Sequence, residues 1–185
     1  MNALLDYLWP AFALGLIFGV VAGTIGFRVP RADLKDHFAG DAIVSSGLRR
    51  KRIVALIAGA ALSLVAATLW HGPFGGADRF SARMVRSLHS IMEYYEMTKV
   101  SAHLHQDPLT RRVLLAGPAD DFQRSELVRL IQQLPGVRSA TWSSDGGGLP
   151  LFAEGWAVSF LGFLLSLLLA YLVELRRRYN SQWNW

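Results

Sequence analysis

Three stretches of this 185-residue chain carry no Asp, Glu, Lys, Arg or His: residues 7–27, 53–70 and 155–173, the last bounded by Glu154 and Glu174. A helix needs about 20 predominantly apolar residues, within a range of about 17–25, to cross about 30 Å of hydrocarbon. All three stretches meet that length. Composition agrees, with 52% hydrophobic and only 18% charged residues, where a soluble domain carries about 25% charge. The expected fold class is a membrane protein with three transmembrane α-helices plus a small α+β (α-β-β-α-β) extracytoplasmic domain.

Charge orients the spans. The segment 28–52 holds seven basic residues (Arg28, Arg31, Lys35, Arg49, Arg50, Lys51, Arg52) against three acidic ones, and the tail adds Arg176, Arg177 and Arg178. Residues 71–154 hold nine of each sign. Basic residues beside spans favour the cytoplasmic face. The expected division is a first span over 1–27 with its N-terminus outside and a cytoplasmic basic loop over 28–52. A second span over 53–70 and a linker over 71–77 lead to an outer domain over 78–143. A glycine-rich linker over 144–153, a third span over 154–175 and a cytoplasmic tail over 176–185 complete it. The topology-determining residues are Arg49, Arg50, Lys51, Arg52, Arg176, Arg177 and Arg178. Nothing basic precedes the first span and Asp6 stands at its start, the reverse of a signal peptide. The excess positive charge near pI 10 thus sits beside spans, where it meets anionic lipid; nucleic acid is not an expected partner.

The spans offer packing and no chemistry. Ionisable groups inside a membrane mark pathways and relays, and these spans have none; without histidine they also offer no axial haem ligand. The chain has no cysteine, so thiol catalysis, disulfides and iron–sulfur clusters are excluded. Gly15, Gly19 and Gly23, followed by Gly26, form a strip on which another helix can pack closely. Its partner is either the second span, with Ala58, Gly59, Ala61 and Ala66, or another protein. The third span, rich in Leu161, Phe163, Leu164, Leu165, Leu167, Leu168, Leu169 and Leu172, reads as bulky all round and facing lipid or a partner.

The segment between the second and third spans reads as a small domain between glycine-rich hinges. Phe80, Met84, Leu88, Ile91, Met92 and Tyr95 recur at helical spacing, with Asp78 or Ser81 as the cap. Val100, Ala102 and Leu104 alternate with Ser101, His103 and His105 as a half-exposed strand. Asp107-Pro108 makes a turn into a more buried strand over 112–116. Asp120 or Asp121 caps a second helix through Leu127, Leu130, Ile131 and Leu134. Pro135-Gly136 stops it, and 137–142 forms a third strand.

The run from Met97 to Trp142, with Val113-Leu114-Leu115-Ala116-Gly117 closing a strand and Leu134-Pro135-Gly136-Val137-Arg138-Ser139-Ala140 turning into the next, resembles a BON domain, a bacterial periplasmic module. The likeness covers residues 78–143 and departs from the family pattern at Pro118 and Ala140. It implies lipid association or a role in envelope integrity rather than catalysis. Ring-forming domains of secretion systems share the element order, so oligomerisation is a further implication of the fold alone.

Other candidate residues read as surface. His103 and His105 share a strand face and could approach a metal with His89, but no third ligand is fixed by spacing; no metal site and no cofactor is expected. Arg79, Arg83 and Arg86 form one stripe of the first outer helix, a lipid or partner contact if not simply its solvated face. Glu93-Tyr94-Tyr95-Glu96 brings two carboxylates together without other catalytic groups, its tyrosines reading as headgroup-level or core aromatics. Tyr179 to Trp185 reads as an interfacial tail. The expected function is a non-catalytic accessory or structural subunit of a larger bacterial inner-membrane complex, with membrane lipids as further partners and a respiratory or photosynthetic assembly as the example. The alternative is a stand-alone envelope protein whose outer domain binds lipid or senses envelope state.

Overall fold

The computed structural model describes residues 2–28, 46–143 and 147–181. Its elements run α1 (Ala3–Phe27), α2 (Ser46–His71), α3 (Gly76–Tyr94), β1 (Ser101–Gln106), β2 (Leu109–Ala116), α4 (Asp121–Gln132), β3 (Ser139–Thr141) and α5 (Leu151–Ser181). Three of them, α1, α2 and α5, are long and apolar enough to cross a membrane.

Each of these helices outruns its uncharged stretch. α1 begins four residues before Tyr7, α2 takes in Arg49–Arg52, and α5 takes in Arg176–Arg178. Lys and Arg are good helix formers, so charge limits where a helix can meet hydrocarbon without ending the helix. The tail expected over 176–185 is therefore helical as far as Ser181. Most of the basic loop, and the last four residues of the aromatic tail, lie outside the described residues.

The chain divides into two compact units. The first comprises Met1–Pro10 and Thr68–Trp156, the second Ala11–Ala67 and Ala157–Trp185. In the first, a three-stranded sheet has the order β1-β2-β3. β1 and β2 form an antiparallel hairpin, with Leu104 opposite Val113 and Ala102 opposite Leu115. β3 lies parallel to β2, with Val113 beside Ala140, and a parallel neighbour demands a crossover, which α4 supplies. α3 buries Phe80, Met84, Leu88 and Met92, four residues spaced to share one helix face. α4 adds Leu127 and Ile131 to the same core.

Two glycines close the connections. Gly117 ends β2 at φ +133° with Lys99 so near that a Cβ would overlap the Lys99 carbonyl. Gly136 ends the α4 turn at φ +109°, buried beside Met84 and Phe80. Only glycine adopts such φ values without strain.

Several element edges differ from those expected. α3 starts at Gly76 behind Gly75 (φ 69°), without a side-chain cap; Asp78 lies in its first turn and Ser81 farther in. The linker shrinks to 72–75, and Gly76 is buried where a Cβ would stand 2.6 Å from the Trp70 carbonyl oxygen. The expected hinge is thus a tight turn. The second glycine-rich linker falls partly outside the described residues. Tyr95 follows the helix and is exposed rather than core. β3 is shorter than 137–142: Val137 is drawn into the core, and Trp142 turns onto α4, donating from its indole N–H to the Arg124 carbonyl at 3.2 Å.

The core also reaches beyond 78–143. Ala3, Tyr7 and Leu151 are buried in it, with Leu4, Leu8 and Trp70 packed alongside. The apolar start of α1 thus belongs to this unit's core.

α4 carries a complete capping box. The Asp120 carboxylate accepts from the Gln123 N–H at 2.7 Å, and the Gln123 side chain accepts from the Asp120 N–H at 3.2 Å. Asp120→Ala is expected to destabilise the protein by about 1 kcal/mol, read as a lowered thermal midpoint in detergent, whereas Asp121→Ala should change it by less than half as much.

Candidate functional site

The second unit is built on the glycine strip, and its partner is the chain's own α5. A Cβ at Gly15 would overlap the Ser159 carbonyl, and one at Gly19 would overlap the Ser166 hydroxyl. A Cβ at Gly23 would stand 2.6 Å from the Ala170 Cβ. The contact is reciprocal, since a Cβ at Gly162 of α5 would stand 2.5 Å from the Phe12 carbonyl oxygen of α1. Small residues on both helices therefore let the backbones approach, the usual basis of close helix pairing in lipid. Reading α5 as bulky all round overlooked Ser159, Gly162, Ser166 and Ala170, which recur at three- to four-residue spacing as the complement of the strip. α2 joins through Gly59, whose Cβ would lie 2.5 Å from that of Ala22, whereas Gly26 faces Arg52 and Leu56 at ordinary contact distances of 3.7 Å.

Polar groups inside this unit are paired. The hydroxyls of Ser63 and Ser159, both fully buried, share a 2.9 Å hydrogen bond, and Ser166 donates to the Phe163 carbonyl at 2.9 Å.

The basic residues divide into two kinds. Arg52 donates to the Gly26 carbonyl at 3.1 Å and Arg178 to the Phe27 carbonyl at 3.1 Å. These are among the last carbonyls of α1, which lack helical partners and carry the negative end of the helix dipole. Arg177 binds both oxygens of the buried Glu174, at 2.8 and 2.9 Å, and Arg178 reaches the same carboxylate at 3.3 Å. Arg49, Arg50, Lys51 and Arg176 are exposed. Charges that sequence assigned to orientation alone thus also tie helix ends together.

In the first unit, the arginine stripe is largely occupied. Arg83 forms an ion pair with Asp6, and the Arg79 guanidinium lies over the Trp70 ring, 5.5 Å from its centroid. Arg86 donates along its own helix, to the Ala82 carbonyl at 3.3 Å, and stays exposed. Asp6, at the start of the first apolar stretch, is therefore one half of a tertiary ion pair.

Two polar constellations of this unit were not legible in the sequence. The Tyr7 hydroxyl, 2% exposed as a residue, shares a 2.7 Å hydrogen bond with His71 Nδ1 and lies 3.3 Å from the Leu151 carbonyl. Glu154, in the first turn of α5, pairs with Arg111 of β2 at 3.0 Å and with Arg138 at 3.6 Å. Their separations in sequence, 64 and 43 residues for the closest pairs, leave no local pattern.

The remaining candidates disperse. His89 pairs with Glu93 at 3.1 Å on the exposed face of α3, and His105 Nδ1 lies 3.1 Å from the Pro108 carbonyl. Among the described residues, no three His, Asp or Glu side chains are grouped to hold a metal ion. Tyr94 and Tyr95 meet edge to face at 5.0 Å, and both are exposed. The arrangement supplies close-packed helices, paired charges at their ends and a small sheet surface. No family model, curated protein or solved structure matches the chain.

Proposed function

We propose that this protein is a non-catalytic accessory or structural subunit of a larger bacterial inner-membrane complex. Its three apolar helices cross the bilayer, and its sheet unit lies on the periplasmic side. The observation that carries the reading is the nature of the helix contacts: α1, α2 and α5 meet through Gly, Ala and Ser, with no Asp, Glu, Lys, Arg or His across 7–27, 53–70 or 155–173. Such a bundle offers shape and surface rather than a relay or a ligand set. Because the glycine strip is filled from within the chain, contact with other subunits falls to the outward apolar faces. These carry Ile57 and Val65 on α2 and Leu161 and Leu168 on α5, all exposed.

Isolation of the full chain from its native membrane in mild detergent tests this. A stoichiometric set of larger subunits is the expected result; a lone monomer overturns it. The closed seam also favours a second reading, a stand-alone envelope protein with a lipid-binding or sensing BON-like unit, and the lone monomer is the result that reading expects.

Orientation has its own test, aided by the absence of native cysteine. Ser101→Cys should react with a membrane-impermeant maleimide in intact spheroplasts, and Asn180→Cys only after the membrane is permeabilised. Equal labelling of both before permeabilisation overturns the assignment of Arg49–Arg52 and Arg176–Arg178 to the cytoplasm.

A further inference from the structure

Between α1 and α2, within the second unit, runs an open groove of about 610 Å³. Its sides are almost wholly apolar, with Phe18, Val21 and Ile25 from α1 and Val54, Ala58 and Leu62 from α2. At one end stand Arg50 and Lys51. Both are exposed, and neither has an acidic partner among the described residues. They differ in this from Arg52, Arg177 and Arg178, which are held by carbonyls or by Glu174.

We propose that this groove binds one anionic phospholipid, with an acyl chain laid along the apolar walls and the headgroup phosphate between Arg50 and Lys51. The proposal rests on α1 and α2 crossing a bilayer, and on no other part of the functional reading. Three features select this occupant. Length is the first: from Arg50 to Leu62 the groove follows α2 over twelve residue steps, about 18 Å at 1.5 Å per residue, close to the roughly 15 Å of a single leaflet's hydrocarbon. Chemistry is the second: the two cations stand together at one end and the rest is apolar, the polarity of an amphiphile with a single anionic head. Basic pockets between membrane helices at the headgroup level recognise anionic headgroups in this way. The third is the state of the cations: Arg52 beside them is held by the Gly26 carbonyl, whereas these two are exposed and have no acidic partner among the described residues. A neighbouring protein helix would match the apolar walls but would leave both charges without a counterion.

The test is native mass spectrometry of the detergent-solubilised full chain, titrated with phosphatidylglycerol or phosphatidylcholine. One phosphatidylglycerol should be retained in preference to phosphatidylcholine. Arg50→Gln with Lys51→Gln should reduce that preference on the order of tenfold to thirtyfold, the effect of two surface cations. Ala58→Phe, which fills the groove and leaves the charges in place, should abolish the tightly retained lipid while the thermal midpoint stays near that of the parent. Equal retention of the two lipids overturns the proposal. So does loss with the charge variant but not with Ala58→Phe, which would place the lipid on the basic surface and not in the groove. Cross-linking of Ala58→Cys to a protein partner in native membranes would identify a helix as the occupant and also overturns the proposal. Extraction of the chain from membranes by alkaline carbonate would instead defeat the spanning reading itself, and so is distinguishable from failure of the lipid site alone.

Discussion

Gly19→Leu is expected to unfold the helix bundle or to lower its thermal midpoint by many degrees, whereas Gly26→Ala should leave it unchanged or slightly raised. The two glycines lie seven residues apart on the same helix, and their surroundings decide the difference. At Gly19, a Cβ alone would overlap the Ser166 hydroxyl and stand 2.5 Å from the Phe163 carbonyl oxygen. A carbonyl in the middle of a helix cannot turn aside without breaking its own hydrogen bond. Inserting atoms into a packed core costs about 1–3 kcal/mol, occasionally more, and a leucine against a fixed backbone belongs at or above the top of that range. At Gly26, the nearest atoms to a new Cβ are 3.7 Å away, ordinary contact. There, alanine removes glycine's helix penalty of about 0.5–1 kcal/mol. Thermal unfolding of the full chain in one detergent measures both. Equal midpoints for Gly19→Leu and the parent would falsify the α1–α5 seam. The same experiment constrains the functional test: loss of co-purifying subunits in Gly19→Leu would report a broken bundle, so Ile57→Arg and Leu168→Arg on the outward faces are the sharper probes of a partner.

The seam also shows where sequence reading stops. Four-residue spacing of Gly15, Gly19 and Gly23 was sufficient to identify a packing surface, since spacing fixes which residues share a helix face. It carried no information about what lies opposite. The complementary signal was present in Ser159, Gly162, Ser166 and Ala170 but was masked by the leucines between them. Period-two alternation in β1 and the i, i+3, i+4 pattern of α3 and α4 were legible for the same reason as the strip: both are consequences of backbone geometry over a few residues. Boundaries were less so. Val137 and Trp142 have strand propensity but are claimed by the core and by α4. Tertiary ion pairs were not legible at all. Asp6 and Glu154 each looked like the charged border of an apolar stretch, while the structure gives them Arg83 and Arg111 as partners. A predominantly apolar helix likewise cannot announce that its first turns serve a different unit from the rest, as Ala3 and Tyr7 do in the sheet core.

Glu154→Leu is expected to destabilise the sheet unit by about 3 kcal/mol. Its carboxylate is 12% exposed and sits 3.0 Å from Arg111, whose side chain is 19% exposed. Among the described residues the buried Arg111 Nε has no hydrogen-bond partner, so the guanidinium depends on Glu154 for its remaining compensation. Breaking a buried pair from one side costs about 3–5 kcal/mol because a charge is left without a counterion; the residual exposure of Arg111 places this pair at the lower end. Arg138 adds little to that figure, being 59% exposed and 3.6 Å away. Its part is instead to keep Glu154 paired when Arg111 is removed, so Arg111→Met should cost less than Glu154→Leu. The double variant tests the cause. If the damage in Glu154→Leu comes from the stranded guanidinium, adding Arg111→Met should recover most of the lost stability, as apolar replacement of a whole buried pair often does. Unfolding of the full chain in detergent, followed by tryptophan fluorescence, completes the cycle. Additive losses in the double variant would mean that the two side chains stabilise the unit independently, through packing, and that the ion pair itself contributes nothing. Recovery would instead establish that the loss in Glu154→Leu comes from the stranded guanidinium, and that the start of α5, already held in the core through Leu151, is tied to β2 by this pair as well.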